Sequence, residues 1–274
     1  MAGTVAVVGA SGWIGKSVMQ RLPGARPVST RDVLSRGAEA VLGEVIGSNG
    51  LESLVVVNTA GLKSGSREDM QRVNVDLVAE LCAVAATGGG RVVHLGSAAE
   101  YGLDPSVEWV DATTPCQPVS DYGQTKYEGT LAALAVDGAA VLRLFNIASN
   151  PPQSGSPLED ICRRVSSAVS EGTAVELLSP DTRRDYVTRG FVTDSIEWAV
   201  NNPCQGIFNI ASGTPVRLGD LAAELVALHG SRNPIVDLEA FAPTSIAADP
   251  QPWESASGLR EHVDAHVLAD LLFG

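Results

Sequence analysis

Basic residues are scarce in this 274-residue chain: 19 stand against 32 acidic ones, for a formal net charge of −13. A field of that sign repels nucleic acid and anionic lipid, so neither is expected as a partner. Any anionic ligand must then be held by a local cluster. Cysteines are few, and Cys82, Cys116, Cys162 and Cys204 show no Cys-x-x-Cys spacing. His94, His229, His262 and His266 form no ligand cluster with them. No metal site and no disulfide framework are therefore expected, and free thiols fit a reducing compartment, the cytoplasm. No apolar run nears the ~20 residues that span a bilayer. No basic stretch precedes the first apolar run, so no signal peptide is expected.

What the chain does have is apolar material, 45% of its residues, cut into short runs that alternate with helical patterns. Thr4 to Val8 reads as a buried strand. Gly9-Ala10-Ser11-Gly12-Trp13-Ile14-Gly15 follows, and a helix runs on to about Leu22. Strand, glycine turn, helix is the layout that brings backbone amides against a pyrophosphate at a helix N-terminus. Arg26 to Ser29 is a candidate second strand, ending in Ser29-Thr30-Arg31-Asp32. An acid at that strand end accepts from an adenosine ribose, whereas Arg with Ser or Thr holds a 2′-phosphate. Ser29 and Arg31 favour NADP(H), and Asp32 keeps NAD(H) open.

A third strand over Ser53–Asn58 ends in Thr59-Ala60-Gly61, small residues that admit an adenine and ribose. Met70 to Ala86 has helical periodicity, interrupted by Asn74, which is either a polar residue of no consequence or a brace for a neighbouring loop, and which is counted with Thr59, Ala60 and Gly61 among the expected cofactor-binding residues. A fourth strand from Arg91 to Leu95 runs into Ser97, placed just past its carboxyl end, where ligands bind in open α/β sheets. His94 reads as packed core. A Pro- and Thr-rich loop, Pro105 to Val119, leads to the helix with Tyr122 and Lys126, which runs to about Val136. Four residues apart on a helix, a phenol and an ammonium share a face. A nearby cation lowers a phenol's pKa, and such a pair can exchange a proton with a carbonyl or alcohol. Ala139 to Leu144 is a fifth strand.

These alternations predict an α/β fold, a Rossmann-type doubly wound parallel sheet with a small C-terminal α/β substrate lobe. The expected division is 1–147 as the dinucleotide-binding domain, with 185–211 returning to it, and 148–184 plus 212–274 as the lobe.

The chain resembles the extended short-chain dehydrogenases/reductases, the epimerase/dehydratase kind that act on nucleotide-sugars. The resemblance runs from about Val5 to about Leu228. It is carried by Gly9-x-x-Gly12-x-x-Gly15, Asn58-x-Ala60-Gly61, Asn74, Ser97 before Tyr101-Gly102, and Tyr122-x-x-x-Lys126. Arg143-x-x-Asn146, Arg184-Asp185-Tyr186-Val187 and Phe208-Asn209-x-x-x-Gly213 extend it. The resemblance implies that Tyr122 is the proton donor or acceptor and that Lys126 holds the nicotinamide ribose and lowers the Tyr122 pKa. It gives the substrate oxygen to Ser97, with Ala98 and Ala99 beside it, and substrate phosphates to Asn146 and Arg184. It also implies a homodimer through the Tyr122 helix and the helix before it, with Leu131, Leu134 and Ala135 on the shared face.

Two departures narrow the activity. The family's 4,6-dehydratases carry an acidic pair where this chain has Ala98 and Ala99. The second phosphate-clamping Arg of the epimerases has no counterpart near Ala242-Pro243-Thr244-Ser245. The expected activity is an NAD(P)-dependent ketoreductase of a keto nucleotide-sugar. The alternatives are a 4-epimerase with tightly bound NAD, a reductase of a carbonyl substrate lacking a nucleotide, and a non-catalytic dinucleotide sensor. The intact Ser97, Tyr122 and Lys126 set speaks against the last.

Overall fold

The larger sheet grows outward from its first strand in both directions. In a computed structural model describing residues 3–47, 50–51, 54–102 and 109–274, β1 (Thr4–Val8) leads through α1 (Trp13–Arg21) to β2 (Arg26–Val28) on one side. The chain then passes through α2 (Thr30–Arg36) and α3 (Ala38–Ile46) and crosses back to β3 (Leu54–Asn58) on the other side of β1. This reversal is a topological switch point, and it opens a crevice at the carboxyl ends of β1 and β3. The central strands are unbroken apolar runs because helices cover both faces; all five residues of β3 are buried. Ser53, expected to open that strand, lies outside the described residues, as do positions 105–108 of the expected loop.

The helical stretch expected over Met70–Ala86 begins earlier and is not uniform. It consists of α4 (Arg67–Gln71), a wide π-turn over Arg72–Asp76, and α5 (Leu77–Thr87). Next come β4 (Arg91–Ser97), the short strand β5 (Trp109–Val110), α6 (Asp121–Leu134) and β6 (Ala139–Leu144). Ser97 is thus the last residue of its strand, not the first beyond it.

The second half alternates between two layers. β7 (Asn146–Ala148), α7 (Pro157–Glu171), β8 (Val175–Leu177) and β9 (Arg183–Thr188) leave the large sheet; α8 (Arg189–Asn201) and β10 (Gly206–Ile210) return to it. β11 (Pro215–Arg217), α9 (Leu218–Leu228), β12 (Ile235–Asp237), β13 (Ser245–Ala248), α10 (Gln251–Ser257) and α11 (Ala265–Phe273) complete the chain. The six parallel strands of the large sheet run β10-β6-β4-β3-β1-β2. One of its faces is packed by α3, α5 and α6, the other by α1, α8 and Trp253 of α10. Within the stretch 185–211, α8 and β10 belong to this unit, whereas β9 pairs with β11, β13 and β7 in a smaller sheet. Helices α7, α9 and α11 enclose a separate apolar core in the lobe. Among the described residues, no helix is long and apolar enough to cross a membrane.

Candidate active site

The carboxyl ends of β1, β3, β4 and β6 open onto one cleft of about 740 Å³, closed from the other side by β9, the start of α7 and Ile246. At its deep end the glycine turn bends onto the end of β3. Gly9 has φ +79°, and a Cβ there would lie 2.8 Å from the Ala60 amide nitrogen. A Cβ on Gly15 would lie 2.2 Å from the Gly9 carbonyl oxygen. Neither position tolerates a side chain, so the turn stays tight and the first amides of α1 face the cleft. Gly12, Trp13 and Ile14 form its wall, with Thr59, Ala60 and Gly61 opposite. Thr59 is fixed by its hydroxyl, which donates to Val8 O at 2.8 Å. This cradle fits a dinucleotide pyrophosphate. Ser11 is exposed, and Gly9 and Gly15 shape the cradle from behind it.

Tyr122 and Lys126 reach the cleft from the first two turns of α6. Ser120 caps that helix, accepting the Gly123 N–H at 3.1 Å. Ser97, Tyr122 and Lys126 all lie on the cleft wall, with Ala98 and Ala99 beside them. Lys126 is almost fully buried and donates from Nζ to Leu95 O at 2.6 Å. Burial lowers its pKa to about 8, and the Glu100 carboxylate opposes that shift. Tyr122 behaves differently from the sequence expectation. Burial raises its pKa above the ordinary 10, the Ser97 hydroxyl works to lower it, and Glu100 raises it further. Lys126 is not among these influences; its ammonium donates to Leu95 O. In the folded chain the phenol holds its proton at neutral pH, the state a proton donor needs.

The second-strand region is arranged differently from the expected strand end. β2 stops at Val28, and Ser29 begins a helix by accepting the Asp32 N–H at 3.3 Å. Arg31 and Asp32 therefore sit in the first turn of α2, both exposed, and neither they nor Ser29 line the cleft. The Ser29 cap is the physical reason: a serine three residues before an acid starts a helix more readily than it prolongs a strand. Asn74 is also away from the cleft wall and fully buried. Its Oδ1 accepts the Leu62 N–H at 2.8 Å and its Nδ2 donates to Leu62 O at 2.9 Å, bracing the loop after β3.

On the lobe side, Asn146 and Arg184 both line the cleft. Asn146 Nδ2 donates to Asp185 O at 2.9 Å. Arg184 is tied to Thr244, donating to its carbonyl at 2.9 Å and to its hydroxyl at 2.7 Å. The region that lacks a second arginine is thus what holds the first one in place. Lys63 on the wall is a further cation, and Tyr186 and Gln153 contribute hydroxyl and amide groups there. Sequence reasoning missed all three. Tyr186 stands inside the quoted Arg184-Asp185-Tyr186-Val187 stretch, in which only Arg184 was given a role; Lys63 and Gln153 lie in loops with no motif.

Residues 5–211 match the family model described as the NAD dependent epimerase/dehydratase family. The chain belongs to that family. Its cofactor is accordingly of the NAD(P) type. A curated relative, "dTDP-6-deoxy-L-talose 4-dehydrogenase (NAD(P)(+))" of Kitasatospora kifunensis, is 29% identical, covering 94% of this chain and 93% of the relative. Among solved structures, the fold is similar to the Bordetella bronchiseptica enzyme WbmG in complex with NAD and UDP (TM-score 0.80, 18% identity, 100% of this chain and 93% of that one). It is also similar to RMD from Pseudomonas aeruginosa complexed with NADPH (TM-score 0.79, 16% identity, 98% and 97%). At these identities the structural likeness speaks to fold alone.

Proposed function

We propose that this family member is a ketoreductase that reduces the keto group of a nucleotide-activated deoxysugar, with Tyr122 as proton donor. The observation that carries the reading is the meeting of Ser97, Tyr122 and Lys126 on one cleft wall whose neighbouring residues are Ala98 and Ala99. A 4,6-dehydration needs acid and base groups that two alanines cannot supply. Reduction needs less. The nicotinamide group, when bound, supplies the hydride. Tyr122 gives its proton to the substrate oxygen, converting ketone to alcohol, and the Ser97 hydroxyl stabilises the charge that builds on that oxygen. Lys126 and the glycine cradle hold the cofactor. Arg184, with Asn146 beside it, pairs with a substrate phosphate through charge-assisted bonds. The curated relative is named for oxidation at a sugar C4, the reverse of such a reduction, and it matches nearly end to end.

The reading includes a preference for NADP(H). Arg31 is exposed in the turn that follows β2 and is free to swing toward a 2′-phosphate. It also includes a homodimer, since Leu131 and Leu134 on α6 are exposed apolar residues on the face expected to pair. The reaction would run in the cytoplasm. Purified protein mixed with a dTDP-4-keto-6-deoxyhexose and NADPH should consume NADPH and yield the 4-hydroxy sugar. An epimerase would instead carry bound NAD through purification and turn over without added reductant; that result would replace the reductase reading.

A further inference from the structure

We propose that Glu100 is a positioning residue for the reaction site: clamped by Arg143, its carboxylate fixes the backbone of Ser97 and sets a buried negative charge against the helix that carries Tyr122 and Lys126. Glu100 is fully buried and does not line the cleft. Its Oε1 accepts the Ser97 N–H at 2.7 Å, and its Oε2 accepts from Arg143 Nε at 2.8 Å. Ser97 Oγ accepts the Ala99 N–H at 3.2 Å, so backbone and side chain of Ser97 are both held by the one short turn. That turn, residues Ala98–Glu100, packs against α6.

The sheet makes room for this pair. Gly96 stands beside Arg143 in the β4–β6 register. A Cβ at Gly96 would lie 2.8 Å from Glu100 Oε1 and 2.9 Å from Arg143 Cγ, so no larger residue fits. The Arg143 guanidinium in turn sits 4.7 Å from the centroid of the Tyr101 ring. The Tyr101 hydroxyl lies 2.8 Å from both Asp111 O and Asn209 Oδ1, which anchors the assembly to β10. A fully buried ion pair is an inefficient source of stability, because desolvation offsets the attraction. Here one carboxylate oxygen is given to the amide of a residue at the reaction centre, which is a use in positioning. The charge also acts on its neighbours: Glu100 raises the pKa of both Lys126 and Tyr122. Burial is the larger influence on both groups; beside it, the Glu100 charge favours the ammonium over the amine and the phenol over the phenolate.

The inference rests on the reading that Ser97, Tyr122 and Lys126 perform the chemistry, but one of its tests needs no substrate. The chain has three lysines, Lys16, Lys63 and Lys126, so carbon-13 labelling of lysine Cε resolves the Lys126 titration by NMR. Glu100→Gln should lower that titration by about one pH unit, and Arg143→Gln should raise it, since each leaves the opposite charge uncompensated. A pair whose charges are not felt at Lys126 would leave the titration unmoved in both variants. In the ketoreductase assay, Glu100→Gln should lower kcat at least about tenfold with KM within about threefold. A folded Glu100→Gln protein with an unmoved Lys126 titration and wild-type kcat overturns the proposal. If neither single variant folds, the charge-balanced Glu100→Gln/Arg143→Met protein decides: a kcat loss with intact cofactor binding supports it, and wild-type kcat overturns it. An inactive wild-type protein would defeat the reductase reading and leave the NMR titration to judge Glu100.

Discussion

Asn74 Nδ2 lies 3.0 Å from Thr125 Oγ1, a hydrogen bond that ties the π-turn between α4 and α5 to the helix holding Tyr122 and Lys126. The same side chain exchanges two hydrogen bonds with the backbone of Leu62. One buried amide thus fixes the loop after β3 relative to α6, and so one wall of the cleft relative to the other. Asn74→Leu keeps the volume and strands the Leu62 N–H and C=O. The expected cost is about 3 kcal/mol in chemical denaturation, together with weaker cofactor binding. A loss below about 0.5 kcal/mol would show that the bridge is dispensable.

Much of this arrangement could be read from the chain, for identifiable reasons. β1, the glycine turn and α1 follow one another without a gap, so their relation is local. Tyr122 and Lys126 share a face by helical spacing alone, with Ser120 marking where the helix starts. Other features depend on contacts far apart in sequence. β5 has two residues and owes its existence to β13, more than a hundred positions later. Glu100, an acid beside Tyr101, looks like a solvated turn until Arg143 is seen beneath it. The phenol of Tyr122 was expected to be acidified by Lys126; burial, which spacing does not reveal, is the larger influence. The Ser29 cap moved Arg31 and Asp32 from a strand end into a helix, a contest between two local signals.

Lys126 should make stability depend on pH. Its pKa is about 8 in the folded chain and 10.5 in the ordinary state. Between those values the unfolded chain binds more protons than the folded one, so stability rises with pH across that window. Below about 8 both states are protonated and the contribution is flat. Burial raises the Cys82 thiol to about 12 from 9, which acts in the opposite sense above pH 9. The comparison of wild type with Lys126→Met isolates the lysine. The difference in unfolding free energy should change by up to about 3 kcal/mol from pH 8 to 10.5. A constant difference would mean that Lys126 is not held in a desolvated site.

Asp185 joins the two layers. It is fully buried, and its carboxylate accepts from Ser212 N and Oγ, both at 2.8 Å, from Gly213 N at 3.0 Å and from Ala248 N at 3.3 Å. Burial still raises its pKa, with these bonds opposing. Asp185→Asn turns one acceptor into a donor that faces N–H groups. It should destabilise the protein by about 2 kcal/mol or more and release Arg184, its neighbour in β9, from register. Thermal unfolding and substrate KM measured together should both move; a shift in neither would remove Asp185 from this role.

Cofactor choice can be checked at Arg31. If it swings to a 2′-phosphate, Arg31→Ala should weaken NADPH binding by roughly 1.5–3 kcal/mol and leave NADH binding unchanged, since a hydrogen bond to a charged group is lost. Titration of both cofactors into both proteins measures this. Equal loss for both cofactors would point to Asp32 and a ribose hydroxyl instead.

The central claim is that Tyr122 donates a proton to a keto sugar oxygen in this cleft. Tyr122→Phe deletes one hydroxyl and little volume. The direct measurement is NADPH-dependent reduction of a dTDP-4-keto-6-deoxyhexose by the two proteins, with cofactor affinity determined alongside. The account predicts that wild type makes the alcohol, that the variant binds NADPH as tightly, and that its kcat is lower by roughly 10²–10⁴-fold. A variant that turns over at near the wild-type rate would contradict it.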